Sequence, residues 1–158
     1  MSKELIVRVK TPCIGVCSTG IGDSVCRGCK RFAHEVIHWN SYTQTEKRII
    51  DQRLERFLVQ IVESKLRVVN PQRLQLFLDQ QRVPYPSYKS PYIWAYELLR
   101  VGASQLGDLS QYGIEIDAQY RTTDLRELRL DIDSEFYILS EAHYQRYFQL
   151  EPLRDEGV

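Results

Sequence analysis

The sequence predicts a mainly helical α+β protein with a metal-binding loop near its N-terminus. Three observations lead to this prediction. All four cysteines of the 158-residue chain lie between residues 13 and 29. The segments that follow them repeat apolar residues with the 3.6-residue period of helices. Alternating apolar residues near the C-terminus indicate a small β-hairpin.

The cysteines form two close pairs: residues 13–17 read Cys-Ile-Gly-Val-Cys and residues 26–29 read Cys-Arg-Gly-Cys. Each pair can wrap a short loop around an ion and place both sulfurs on it, so the pattern predicts one four-thiolate metal centre. Gly15 and Gly28 lie inside the pairs, where positive φ angles would turn backbone N–H groups toward the sulfurs. Two disulfides, or four ordinary thiols, are the structural alternatives. The predicted ligands are Cys13, Cys17, Cys26 and Cys29.

The residues before the cysteines favour a reducing compartment. The opening MSKELIVRVK has no apolar core of a secretory signal and no small-residue cleavage site. Because disulfides persist only where the surroundings are oxidising, metal-bound thiols are favoured and we expect a cytoplasmic protein. No apolar stretch approaches the roughly 20 residues of a membrane span, so no membrane partner is expected.

The formal net charge of zero conceals a difference between the two halves of the chain. Residues 1–82 contain 14 Lys and Arg against 8 Asp and Glu, whereas residues 83–158 contain 7 against 13. The halves therefore carry +6 and −6. Such a division fits either a basic face for nucleic acid or two halves that attract each other. No dense basic run accompanies it, which favours the second interpretation.

The first predicted helices follow the metal loop directly. Lys30–Trp39 carries apolar residues along one helical face. Thr43 or Thr45 is then a candidate N-cap, and Glu46 would complete a capping box with Thr43. A long amphipathic helix should follow. Its apolar stripe comprises Ile49, Ile50, Leu54, Phe57, Leu58, Ile61, Val62 and Leu66.

The remaining elements are shorter. Asn70-Pro71 is a helix start signal, and residues 83–91 hold three prolines and two tyrosines, which predicts an extended connector. Next come a helix over Tyr92–Ala103, a short strand at Ile114–Ile116, a hairpin over residues 128–139, and a terminal helix through residues 142–150 with a frayed tail from Arg154.

We therefore expect a metal-binding module over residues 1–40, a helical segment packed on it over 41–82, the connector at 83–91, and an α+β region over 92–158.

A second motif lies inside the first predicted helix. Residues 34–38 read His-Glu-Val-Ile-His and match the HExxH pattern of zinc hydrolases. On a helix, His34 and His38 would share one face, with Glu35 as general base. The sequence specifies no third ligand, because the one other histidine is His143. The helix is short and follows the cysteines directly, so we expect it to support the thiolate loop, and His34 to be a surface or supporting residue.

The residues around the cysteines resemble a known family. The positions that carry the resemblance are residues 11–17, residues 26–31, Glu35, Trp39 and the Glu-Lys-Arg at 46–48. Together they resemble the bacterial domain of unknown function 1289, whose members are described as predicted iron-sulfur proteins. The resemblance covers about residues 10–55. It implies a bacterial cytoplasmic metal protein whose ligands are the four cysteines. The pattern does not require the histidines at 34 and 38.

The residues fit zinc and an iron-sulfur cluster equally well. A CxxC pair that opens a helix is typical of small zinc modules, in which the ion orders a short loop. The wider CxxxC pair tolerates sulfurs held further apart, and the description of the family favours a cluster. A thiol redox centre is disfavoured, because no βαβ pattern surrounds the CxxC and two further cysteines accompany it.

Three functions follow from these observations. A noncatalytic binding or regulatory module is favoured over an electron-transfer or redox-sensing iron-sulfur protein, and an HExxH metallohydrolase is the least favoured, so an enzyme is not expected. The partner is expected to be a protein, with nucleic acid as the alternative through the basic N-terminal half. The candidate partner contacts are Arg27, Lys30, Arg31, Lys47 and Arg48.

Overall fold

The computed structural model describes residues 8–149, and the side chains of residues 8–148. The mainly helical α+β class is confirmed. In the described part of the chain, no helix has both the length and the apolar character needed to cross a membrane. The elements are α1 (Ala33–His38), α2 (Gln44–Glu63), β1 (Leu66–Val68), α3 (Pro71–Gln80), α4 (Pro91–Gly102), β2 (Ile114–Ile116) and α5 (Leu125–Tyr144). Short 3-10 helices cover Thr19–Ile21, Trp39–Ser41, Leu109–Tyr112 and Ala118–Tyr120.

The chain divides into two compact units. Unit 1 comprises Met1–Leu54 and Tyr137–Val158, and unit 2 comprises Glu55–Phe136. The boundaries fall within the two longest helices, α2 and α5. The proline-containing residues 83–91 lie inside unit 2, between α3 and the start of α4.

The first helix is shorter than the sequence predicts. It begins at Ala33 rather than Lys30, because Lys30 has a φ of +66° and Phe32 pairs with Val25 in an antiparallel bridge. Residues 30–32 therefore belong to the cysteine loop. Glu35 supplies the N-terminal cap of α1, since its Oε1 accepts a hydrogen bond from the Phe32 N–H at 2.9 Å.

Thr43 immediately precedes α2 and caps its N-terminus, as the capping-box prediction requires. Its Oγ1 accepts a hydrogen bond from the Glu46 N–H at 3.2 Å, and Glu46 Oε1 accepts one from the Thr43 N–H at 3.2 Å. The apolar stripe departs from prediction at two positions: Ile49 is 62% exposed, and Leu66 lies in β1. The buried members are Ile50, Leu54, Phe57, Leu58, Ile61 and Val62.

Unit 2 contains a two-stranded antiparallel sheet. The predicted strand at 114–116 is confirmed as β2, and its partner is β1, with Leu66 opposite Ile116 and Val68 opposite Ile114. Asn70 caps α3 through a hydrogen bond from the Arg73 N–H at 3.1 Å, which confirms the start signal. The predicted helix at 92–103 is confirmed as α4.

The predicted hairpin over residues 128–139 is wrong, because this segment is the middle of α5. Leu128, Ile132 and Phe136 are buried at four-residue spacing, whereas Leu130 and Ile138 are 56% and 61% exposed. Over residues 128–132 the apolar residues fit both a period of 2 and a helical period, and only their continuation to Phe136 separates the two. The terminal helix is the end of α5, followed by a π-helical turn at Gln145–Gln149. The predicted frayed tail lies outside the described residues.

The burial pattern of α5 gives a direct test of the helix. We expect Ile132→Ala to lower the free energy of unfolding by about 2–5 kcal/mol, because it empties a fully buried position. Leu130→Ala is the matched control and should cost less than about 0.5 kcal/mol, since its side chain is exposed. Urea unfolding followed by circular dichroism measures both. A hairpin would place both side chains on one face, so equal losses would contradict the helix.

Candidate metal centre

The two cysteine loops are in direct contact. A Cβ atom added to Gly28 would lie 2.4 Å from the backbone oxygen of Val16 and 3.1 Å from Cγ1 of Ile14. The Cys26 thiol also donates a hydrogen bond to the Val16 carbonyl, with an S–O distance of 3.4 Å. Residues 26–29 therefore pack on residues 13–17, and position 28 cannot hold a larger side chain without separating the loops.

The two glycines serve different purposes. Gly15 has the predicted positive φ, +89°, and its N–H donates to Cys13 Sγ at 3.4 Å. Gly28 does not have a positive φ, so the prediction is wrong for its backbone conformation. The residue in the left-handed region of the second loop is Lys30. Glycine is required at position 28 because of its close approach to Val16.

The second cysteine pair is buried, with Cys26 1% and Cys29 8% exposed. Burial acts to raise the pKa of the Cys26 thiol, but hydrogen bonds from the backbone N–H groups of Cys29, Ser18 and Gly28 outweigh it and lower this pKa to about 7. Burial raises the pKa of the Cys29 thiol, opposed by the Nε–H of Arg31, which donates to Cys29 Sγ at 3.2 Å. Both sulfurs thus face donors that favour thiolates.

The first cysteine pair lies at the surface. Cys13 and Cys17 are exposed, and Cys17 Sγ lies 3.1 Å from Thr19 Oγ1. The two apolar residues between them, Ile14 and Val16, are 56% and 59% exposed. This half of the predicted centre is therefore open to solvent.

The structure brings part of the predicted ligand set together. The side chains of Cys26 and Cys29 share a hydrogen bond, and all four cysteines are free thiols. Among the described residues, no three His, Cys, Asp or Glu side chains gather closely enough to hold a metal ion. The donor set nevertheless fits a thiophilic metal: four free sulfurs lie on two touching loops, and N–H groups point at sulfurs of both pairs.

The Lys30 side chain packs against the backbone of the second cysteine loop. Its side chain is buried, at 1% exposed for the residue, and Nζ donates to the backbone oxygens of Arg27 and Gly28 at 2.5 and 3.0 Å. The ammonium group therefore stays inside the protein, next to the turn that carries Cys26 and Cys29. It offsets part of the negative charge that two thiolates would create there.

A buried ion pair fixes α1 against α2. Arg53 donates from Nη1 to Glu35 Oε2 at 2.7 Å and from Nη2 to Glu35 Oε1 at 2.6 Å. The Arg53 guanidinium also lies over the Phe32 ring, 4.1 Å from its centroid. Sequence analysis assigns Arg53 no role, and no local signal identifies it because its partner is 18 residues away in the chain.

The HExxH residues serve packing in this structure. Both carboxylate oxygens of Glu35 are bonded to Arg53, which leaves Glu35 unsuited to act as a general base. His34 is half-buried and its ring lies 5.0 Å from that of Phe148 and 5.8 Å from that of Phe32, whereas His38 is exposed. The contacts described for His34 are thus with aromatic rings, and a supporting role toward the cysteines stays a prediction.

The five candidate partner contacts divide into two groups. Lys30, Arg31 and Lys47 are buried, at 1%, 4% and 8% exposed. Arg48 is exposed, and Arg27 has a side chain that is 65% exposed and pairs with Asp23 at 3.1 Å. Partner contact itself stays a prediction for all five, but only Arg27 and Arg48 present their charges mainly to solvent.

Comparison with known proteins supports the resemblance seen in the sequence. Residues 11–57 match the family described as Protein of unknown function (DUF1289). The matched segment contains all four cysteines and α1, together with the ion-paired Glu35 and Arg53. No curated protein and no solved structure matches the chain.

The loop contact predicts the effect of adding one methyl group. We expect Gly28→Ala to lower the free energy of unfolding by about 1–3 kcal/mol, because its Cβ would overlap the Val16 carbonyl. Gly20→Ala is the control, since nothing lies within 4 Å of its added Cβ and its φ is not positive. Thermal and urea unfolding measure both variants. Equal stability of the two variants would show that the loops do not need this contact.

The Glu35–Arg53 pair predicts strong coupling between two positions. Glu35→Gln and Arg53→Met should each lower the free energy of unfolding by about 3–5 kcal/mol, because each leaves the buried partner without its counter-charge. The double variant should lose less than the sum, since neither charge then remains unpaired. A double-mutant cycle from urea unfolding measures the coupling, and additive losses would contradict a buried pair.

Proposed function

We propose that Cys13, Cys17, Cys26 and Cys29 hold one metal centre, and that the protein is a noncatalytic binding or regulatory module organised by that centre. The observation that carries the proposal is the contact of Gly28 with the Val16 carbonyl. This contact brings the loop of residues 13–17 against the loop of residues 26–29. Four free thiols on touching loops are the donors that zinc and iron-sulfur clusters use.

The surrounding residues support thiolate ligands. N–H groups of the first loop and of residues 18, 28 and 29 point at cysteine sulfurs. Arg31 donates to Cys29, and the Lys30 ammonium lies behind the same loop. Such donors stabilise negative sulfur and fix its orientation. A bound metal would supply a cross-link between the two loops and the folding free energy that goes with it.

The noncatalytic role rests on the contacts of two side chains, Glu35 and Trp39, that hold α1 in place. Glu35, the candidate general base, is bonded through both oxygens to Arg53, and Trp39 is 6% exposed. Both side chains hold α1 in place beside the cysteine loops. We therefore assign α1 to structural support and give the function to the surface that the centre organises, with a protein or a nucleic acid as partner.

Electron transfer is a second candidate because the first cysteine pair lies at the surface. Cys13 and Cys17 are exposed, and Ile14 and Val16 form an exposed apolar rim around them. An iron-sulfur cluster held there would lie close to solvent, where a redox partner can approach it. For either candidate we place the protein in the cytoplasm, where thiols stay reduced and available to a metal.

Metal analysis of anaerobically purified protein tests the proposal and separates the two candidates. We expect about one metal centre per chain. A colourless protein with zinc would exclude the electron-transfer role. Broad visible absorption that dithionite bleaches would exclude a structural zinc ion. Protein that holds neither zinc nor iron would overturn the metal centre itself.

Single substitutions test the ligand set. We expect each of four single variants to lose most of its metal, because serine is a poor ligand for these metals. The variants are Cys13→Ser, Cys17→Ser, Cys26→Ser and Cys29→Ser. Thr19→Val is the matched control: it removes the hydroxyl that contacts Cys17 Sγ but leaves every thiol in place, so its metal content should equal that of the wild type. If variants of Cys13 and Cys17 keep their metal, the four-cysteine centre is wrong.

A further inference from the structure

Unit 1 contains an open groove of about 710 Å³ next to the cysteine loops. Nine of the described residues line it; four of them carry positive charge and none carries negative charge. The four cations are Arg8, Lys10, Arg31 and Lys47, and the indole of Trp39 lies among them. The groove is therefore positively charged along its walls, and it is separate from the cysteine sulfurs.

Two different parts of unit 1 position these cations. Residues 8–11 run along one wall, where the Val9 N–H donates to Oε1 of Gln44, in the first turn of α2, at 2.9 Å. This bond places the exposed side chains of Arg8 and Lys10 at the groove. Arg31 and Lys47 are held by Trp39, with their charged groups 5.0 and 5.4 Å from its ring centroid.

In the described part of the chain, the groove cations have no carboxylate partners. Within residues 8–149, none of Arg8, Lys10, Arg31 and Lys47 forms an ion pair with Asp or Glu. Lys47 is the most informative of them, because it is only 8% exposed and lines the groove. The Lys47 side chain is largely removed from water, and the Trp39 ring offsets only part of the cost of that desolvation. An anion in the groove would supply a counter-charge.

We propose that this groove binds the phosphate groups of single-stranded nucleic acid. Arginine forks match phosphate oxygens, and the groove is open and larger than one phosphate group requires. Trp39 is only 6% exposed, so its ring offers almost no surface on which a base could stack. The contacts are therefore with the backbone, and binding is independent of base sequence. The inference rests on the proposed binding role but not on the identity of the metal.

The test uses the full-length protein and a fluorescein-labelled oligothymidylate of about 12 nucleotides, with binding followed by anisotropy. Four phosphate contacts should give a slope of about −3 for log K against log salt between about 50 and 200 mM. Lys47→Met should weaken binding at least about fivefold and reduce the slope by about 0.7. Arg8→Ala/Lys10→Ala, at two exposed positions, should weaken binding further without affecting the fold.

Arg56→Met is the matched control. It removes one positive charge from an exposed position of α2, the helix that carries Lys47, but Arg56 does not line the groove, so binding should change less than about twofold. Equal losses in Lys47→Met and Arg56→Met would overturn the groove assignment, because they would indicate a general charge effect. Wild-type binding by Arg8→Ala/Lys10→Ala would overturn it as well.

Competitors identify the ligand chemistry. Unlabelled oligothymidylate should displace the probe, whereas a mononucleotide or inorganic phosphate should do so only at far higher concentration. Displacement by oligoglutamate at equal charge would overturn phosphate recognition in favour of an acidic peptide. Metal content is measured on every sample. Wild-type protein that binds the probe but contains no metal would contradict the proposed centre alone, and wild-type protein that contains the metal but does not bind the probe would contradict the groove alone.

Discussion

The ion pair between Glu35 and Arg53 is the interaction on which the rest of unit 1 depends. Glu35 is 4% exposed, and its carboxylate accepts two hydrogen bonds from Arg53 and one from the Phe32 N–H. It thereby joins α2 to the first turn of α1. The Arg53 guanidinium covers the Phe32 ring, which is itself 1% exposed. A single carboxylate thus fixes the start of α1, its position on α2 and the side chain that precedes it.

The geometry of the second cysteine loop follows from the position of Phe32. Phe32 pairs with Val25, and the hydrogen bonds Ala33 N–H to Ser24 O and Cys26 N–H to Arg31 O, at 2.8 and 2.9 Å, close the loop on both sides of that bridge. Within the loop, the Lys30 N–H donates to Cys26 O at 2.9 Å, which produces the tight turn. The turn places Cys26 and Cys29 side by side. The thiol pair is therefore held by backbone contacts that lead back to the ion pair.

Much of this arrangement can be predicted from local sequence, and the limits have physical causes. The capping box at Thr43 and the start of α3 at Asn70 are set by residues three positions apart, so the sequence identifies them correctly. The helix at 125–144 is missed because residues 128–132 satisfy two periods at once. The close approach of Gly28 to Val16 and the pairing of Glu35 with Arg53 depend on residues 12 and 18 positions apart, and no local pattern specifies such contacts. The family match to residues 11–57 includes these residues but assigns none of them a role.

Three cations of the N-terminal half, Lys30, Arg31 and Lys47, are buried and face neighbouring groups of the protein. Lys30 faces backbone carbonyls of the cysteine loop, and Lys47 lies over Trp39 at the groove. Arg31 belongs to both sites, since its Nε–H donates to Cys29 Sγ while its guanidinium lies over Trp39 and lines the groove. The charge state of Cys29 and the field in the groove are thus set partly by the same guanidinium. Replacement of Arg31 would therefore change the electrostatic potential both at Cys29 Sγ and in the groove.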